Sequence, residues 1–145
     1  MGERRRRFWG WGYEGEGPDP EQQQGIAATL AGMFGLDDVS VTPPPSLDEI
    51  ELRPPRVSPP TPLAGICSTD PYERASHTYG KSFRDVVRAL ERRFDHPPDV
   101  VAFPGDESEV ASVLDWCADV GAAAIPYGGG SSVVGGVEAD VGAPV

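Results

Sequence analysis

From Phe94 to Val145 the sequence contains no lysine and no arginine, while nine aspartates and glutamates fall in the same stretch. All twelve basic residues of the 145-residue chain precede Phe94. Read along the chain, a phosphate bound by the C-terminal part has only backbone N–H groups to hold it. The net charge of −11 argues against nucleic acid as a general partner, because its phosphates would be repelled. Cysteine is almost absent: Cys67 and Cys117 form no CxxC pair and no disulfide framework. Cys117 falls at an apolar helix position and reads as a buried thiol. The two histidines, His77 and His96, have no cysteine or carboxylate at metal-ligand spacing and read as ordinary surface or loop residues. No apolar run approaches a membrane span. The basic Arg4–Arg7 run has no hydrophobic stretch behind it, so it is not a secretory signal. The expectation is a reduced, cytoplasmic protein.

Proline and glycine, by contrast, are abundant, at 16 and 18 residues. Eight of the prolines lie between Pro43 and Pro62, which predicts an extended backbone poor in ladder hydrogen bonds. The chain divides accordingly into an N-terminal extension with one helix (1–41), a proline-rich linker (42–69), a helical segment (70–96) and the stretch that carries chemistry (97–145). The linker reads as a tether packed along a protein surface, with a proline-rich ligand as the alternative. The opening RRRRFWGWGY is read as aromatics docked on the protein with solvated arginines, against a single-stranded nucleic-acid contact.

Capping chemistry marks three helices. Asp19 with Pro20 and Gln22 forms a capping box, Ile26, Ala27, Leu30, Met33 and Phe34 follow at helical spacing, and Gly35 is a stop. Ser82 with Asp85 caps a second, whose stripe of Phe83, Val86, Val87, Leu90 and Phe94 predicts a core-facing side. Val100–Phe103 then reads as a buried strand, and Asp106 with Glu109 opens a third helix carrying Val110, Val113, Leu114 and Cys117. Gly121 ends that helix, and Ala122–Pro126 reads as a second strand. This strand–helix–strand unit predicts a second strand parallel to the first through a right-handed crossover.

After that strand comes Tyr127-Gly128-Gly129-Gly130-Ser131-Ser132-Val133. Three glycines allow positive φ and close approach of backbone to a ligand, and successive N–H groups in such a turn make an anion site. Ser131 and Ser132 add hydroxyls at its rim. The letters exclude a nucleotide P-loop, which needs GK[ST], the GxGxxG fingerprint, because Val133 occupies its last glycine, and a GxSxG elbow. A glycine-rich turn without a ligand remains open.

The stretch PDVVAFPGDESEVASVLDWCADVGAAAIPYGGGSSVVGG resembles the opening of the flavin domain of the vanillyl-alcohol-oxidase type, also called the PCMH-type FAD-binding fold. The resemblance rests on Pro98-Asp99-Val100-Val101-Ala102-Phe103-Pro104 before the helix and on Pro126 to Ser132 after the second strand. Within that superfamily, FWGWGY and SHTYGKSFRDVVRALERRFDHPPDVV narrow the likeness to FAD-linked oxidases like alkyldihydroxyacetonephosphate synthase. The resemblance implies an α+β architecture in which 97–145 begins the PCMH-type domain. It implies that Pro126, Tyr127, Gly128, Gly129, Gly130, Ser131, Ser132 and Val133 contact the FAD pyrophosphate, with serine at 131 where threonine is usual. With no histidine after Asp99, it implies non-covalent FAD. The remaining flavin strands, the substrate-capping domain and the catalytic residues of such proteins lie downstream, so no catalytic residue is assigned. The expectation is the N-terminal part of an FAD-dependent oxidoreductase or alkyl-transferring synthase. Its partners would be FAD and a small-molecule substrate, with a homodimer as one arrangement of the parent. A truncated, non-catalytic product and a proline-rich interaction module are the alternatives.

Overall fold

The computed structural model describes residues 4–37 and 39–145; the first three residues and Asp38 of the 1–41 extension lie outside them. In chain order the elements are α1 (Pro20–Phe34), two 3₁₀ turns at Leu47–Glu49 and Thr61–Leu63, β1 (Cys67–Ser68), α2 (Pro71–Ser76), α3 (Phe83–Leu90), β2 (Val101–Ala102) and α4 (Glu107–Val120). The molecule is thus mostly helical, with one two-stranded antiparallel sheet among the described residues.

The helices start where their caps predict. Asp19 accepts from the Gln22 amide and Gln22 reaches back to the Asp19 N–H, while Gly35 closes α1 in the left-handed conformation. Ser82 and Asp85 exchange the same pair of bonds at α3, and Asp106 accepts from the Glu109 amide at α4, which Gly121 ends at φ 67°. The short helix α2 has the same Asp-Pro start as α1, with Asp70 accepting from Tyr72 and Glu73 amides. Ser82→Ala is expected to lower stability by about 1 kcal/mol in urea denaturation, because the Asp85 amide loses its acceptor and the Asp85 carboxylate one of its two Ser82 donors.

The core is built by the chain's beginning. Phe8 is buried against Tyr72, with ring centroids 5.3 Å apart and edge to face, and against Phe94 at 5.8 Å. Ala75 and Ala89 complete the buried cluster, and Trp9, Leu47, Ile50 and Leu52 pack on it. Of the opening's aromatics, Phe8 and Trp9 therefore dock as expected, while Trp11 stays 52% exposed. The arginines are not simply solvated, however. Arg5 stacks over the Tyr72 ring at 3.3 Å, Arg4 over Tyr13 at 4.2 Å and Arg7 over Trp9 at 4.9 Å, each gaining cation–π attraction. The proline-rich segment is likewise held along the surface, through Leu47, Ile50 and Leu52 and by buried Arg74, which bridges it to Pro98. Its Nε donates to the Pro98 carbonyl and its Nη2 to the Arg53 carbonyl.

The expected core-facing side of α3 is corrected. On α3 the inward residues are Asp85 and Ala89, while Phe83 is 86% exposed. The capping box pulls the Asp85 carboxylate onto the Ser82 N–H and hydroxyl, and Arg88 lies 3.7 Å away, which turns the small Asp85–Ala89 face inward. On α1, Ala27 is the buried residue and Ile26, Leu30, Met33 and Phe34 are exposed.

The predicted parallel strand pair is also corrected. Val101–Ala102 pairs antiparallel with Cys67–Ser68, extended by Phe103 N–H donating to the Ile66 carbonyl. On its other side, the Asp99 and Val100 amides donate to the Val145 carbonyl, at 2.5 and 3.1 Å. The Ala123 amide donates to the Pro144 carbonyl at 2.7 Å, so Pro144–Val145 lies between the two segments expected to be neighbours. Ala122–Pro126 has no other ladder bond among the described residues and forms no strand there.

Asp99 organises this junction. It is fully buried and accepts from the Arg53 and Arg56 guanidiniums, at 2.5 and 2.8 Å, and from the Arg56 and Val145 amides. Burial pushes its pKa up, and these four partners outweigh it, holding the carboxyl well below the usual carboxylate range.

Candidate functional site

The glycine loop after residue 126 sits on the turn that joins α2 to α3. The Lys81 amide donates to the Gly130 carbonyl at 2.5 Å. Tyr127 turns inward, and its hydroxyl lies 3.0 Å from the Tyr79 carbonyl and 3.3 Å from that of Ser76. Burial, with the Asp85 charge, pushes that hydroxyl up to about 12, so it stays a donor at neutral pH. The His77 ring stands edge-on to Tyr127, with centroids 4.5 Å apart, and to Phe103 at 5.9 Å. His77 Nδ1 lies 2.7 Å from the Glu73 carbonyl, which requires the proton on Nδ1. His77 is therefore a wall of the loop rather than an ordinary loop residue, and its position depends on a contact 50 residues away in sequence.

The three glycines are not equivalent. Gly130 is buried at φ 77°, and a Cβ there would lie 2.5 Å from the Tyr127 hydroxyl, so the fold itself requires glycine. Gly80, which the sequence reading did not single out, is the matching requirement below. A Cβ on it would lie 2.8 Å from Ser132 Cβ and 3.0 Å from the Gly130 carbonyl. Gly128 and Gly129 are exposed, have no positive φ, and would carry a Cβ with nothing within 4 Å. Neither backbone strain nor internal packing asks for glycine there; an approaching ligand would. Pro126, Ser131 and Val133 are exposed, and Ser132 is half-buried against Gly80.

Opposite Gly128 and Gly129 stands the N-terminal arm. Its two limbs are joined by Arg7 N–H to the Gly12 carbonyl and Glu14 N–H to the Arg5 carbonyl. The Tyr72 hydroxyl, held up by burial and by Glu14, lies 2.5 Å from the Arg6 carbonyl. Trp11 Nε1 donates to the Lys81 carbonyl at 2.7 Å, and Lys81 Nζ donates to the Phe8 carbonyl at 2.6 Å. Burial lowers the Lys81 ammonium to about 8, against the pull of Asp85. Between arm and loop is a cleft of about 290 Å³, to which Arg5, Arg6, Arg7, Lys81, Tyr127, Gly128 and Gly129 contribute.

That cleft revises the charge reading. Along the chain the C-terminal segment has no cation, but the fold returns four from the first 81 residues to its glycine loop. Glu73 is the one acidic side chain lining the cleft. His96 lies elsewhere, 3.7 Å from Asp140, and no cluster of metal-ligating residues occurs among the described residues. Cys117 is buried and Cys67 half-buried, both as free thiols.

No protein-family model matches the chain. Over 69 residues, 48% of the chain, it is 35% identical to alkyldihydroxyacetonephosphate synthase of Trypanosoma brucei brucei. The identity and extent are the same for the synthase of Dictyostelium discoideum. The matched stretch covers 11% of each relative's length. Two solved structures of alkyldihydroxyacetonephosphate synthase, in different crystal forms, superpose on 92% of the chain with TM-scores of 0.71 and 0.68. At 24% identity that likeness is one of fold, and the chain covers 30% and 28% of those structures. The chain is thus partially similar, in sequence and in fold, to this FAD-linked synthase.

Proposed function

We propose that the chain is the N-terminal part of an FAD-dependent enzyme like alkyldihydroxyacetonephosphate synthase, with Pro126–Val133 holding the FAD diphosphate non-covalently. The observation that carries this reading is the pair Gly128–Gly129, where glycine stands although the protein's own packing leaves the Cβ position open. A diphosphate laid on those residues needs that space, because a side chain would hold it off the backbone amides. Gly130 and Tyr127 fix the loop from beneath, so its donors are set before a ligand arrives. The residues present therefore fit the group. Bound flavin would supply the redox and electrophilic chemistry; this chain's part is to bind, orient and anchor it. Either oxidation of an alcohol or hydroxy acid, or synthesis of an alkyl product as the relatives' name indicates, is compatible with that part. The two free thiols suit a reducing, cytoplasmic setting.

The test is Gly129→Val in the longest natural form of the protein, purified with its flavin. Flavin absorbance per protein is expected to fall sharply, with far-ultraviolet circular dichroism unchanged because a Cβ at that position meets no protein atom within 4 Å. Full flavin retention would rule the loop out.

A further inference from the structure

We infer that the N-terminal arm is the ionic half of this site, with Arg6 and Arg7 binding the diphosphate group whose other side rests on Gly128 and Gly129. The inference rests on the loop reading above and adds residues that lie more than a hundred positions before the loop.

It starts from which cations are already neutralised. Arg5 faces Asp70 and Glu73, Arg53 and Arg56 face Asp99, and Arg88 and Arg92 face Glu138 and Glu49. Arg4 pairs with Glu16, and Arg93 with Glu91 and Asp95. Arg6, Arg7 and Lys81, like Arg74 and Arg84 elsewhere, have no carboxylate within ion-pairing distance among the described residues, and these three line the cleft with Gly128 and Gly129. In a chain of net charge −11, unpaired positive charges brought to one concave surface favour an anion there. Glu73, the cleft's one acid, is already met by Arg5.

The three cations divide the work. Lys81 Nζ is committed to the Phe8 carbonyl and contributes charge rather than contact. Arg7 is stacked on Trp9 and donates to the Trp11 carbonyl, which fixes its plane. Arg6 is exposed, with its guanidinium 6.0 Å from the Tyr13 ring. A guanidinium fork opposed to backbone N–H groups matches the several oxygens of a diphosphate on both sides. The arm is held for this by Phe8 in the core and by Trp11 on Lys81, so little ordering is left for binding.

The test titrates the chain with inorganic pyrophosphate, following backbone amides and arginine Nε–H groups by NMR. Saturable shifts at Gly128, Gly129 and Arg6 are expected. Arg6→Gln should weaken binding about tenfold or more, Arg6→Lys should recover part of the loss, and Arg84→Gln, on the exposed side of α3, should change nothing. The absence of saturable binding, or wild-type affinity in Arg6→Gln, overturns the inference. Loss in Gly129→Val with wild-type affinity in Arg6→Gln would overturn the arm and leave the loop reading standing. Loss in Arg6→Gln with none in Gly129→Val would overturn both, leaving a surface cation unrelated to the loop.

Discussion

Asp99→Ala is expected to lower the stability of the chain by about 3 kcal/mol. The carboxylate has no exposed surface and satisfies two guanidiniums and two backbone amides at once. Removing it leaves the Arg56 and Val145 amides without their acceptor and two like charges facing each other. Arg53 and Arg56 keep 30% and 40% of their side-chain surface, so water recovers part of the loss, which sets the figure at the lower end for a buried pair. Urea denaturation of Asp99→Ala and Asp99→Asn measures it, and a loss below about 1 kcal/mol would show an ordinary surface pair. The pH dependence has a fixed sign. Because the folded carboxyl is held below its unfolded value, its stabilisation is complete above about pH 5 and drains away as the pH falls through about 4 and below. Asp99→Asn is expected to remove that acid-side slope.

The second large effect contrasts two adjacent glycines. Gly130→Ala is expected to cost about 2–4 kcal/mol, combining left-handed backbone strain with loss of Tyr127's hydrogen bonds. The new methyl group would lie 2.5 Å from the Tyr127 hydroxyl and 2.9 Å from its Cζ, so the ring must leave its seat over Ser76 and Tyr79. Gly129→Ala, one residue earlier, meets nothing and is expected to stay within about 0.5 kcal/mol of wild type. Parallel thermal melts decide the matter. Equal losses at the two positions would mean that the loop does not sit on the Tyr79–Lys81 turn as described.

What was legible in the sequence follows the range of the interactions. The starts of α1, α3 and α4 depend on side chains three residues from the amides they cap, so Asp19, Ser82 and Asp106 could be read directly. Asp70-Pro71 carries the same signal as Asp19-Pro20, and α2 was there to be found. The inner face of α3 was misread because hydrophobic spacing favours Phe83, whereas Asp85 is drawn inward by Ser82 and Arg88. The sheet was misread because Pro144–Val145 inserts between segments that follow one another in sequence. For the site, the glycine run was legible and its surroundings were not. Gly80, His77 and the arginine arm meet the loop through contacts that span about 50 residues or more, and no local pattern encodes them.

The staple between the arm and Lys81 also sets a timetable for the chain's birth. Trp11 and Phe8 are bonded to Lys81 across 70 and 73 residues of sequence. At about 5–20 residues per second of synthesis, the arm waits roughly 4–15 seconds for that partner to be made. Throughout that interval Phe8, Trp9 and Trp11 travel on a nascent chain beside four arginines, with no core to enter. Gly128 and Gly129 are made later still, so the cationic wall has its Lys81 anchor before the glycines it faces are made.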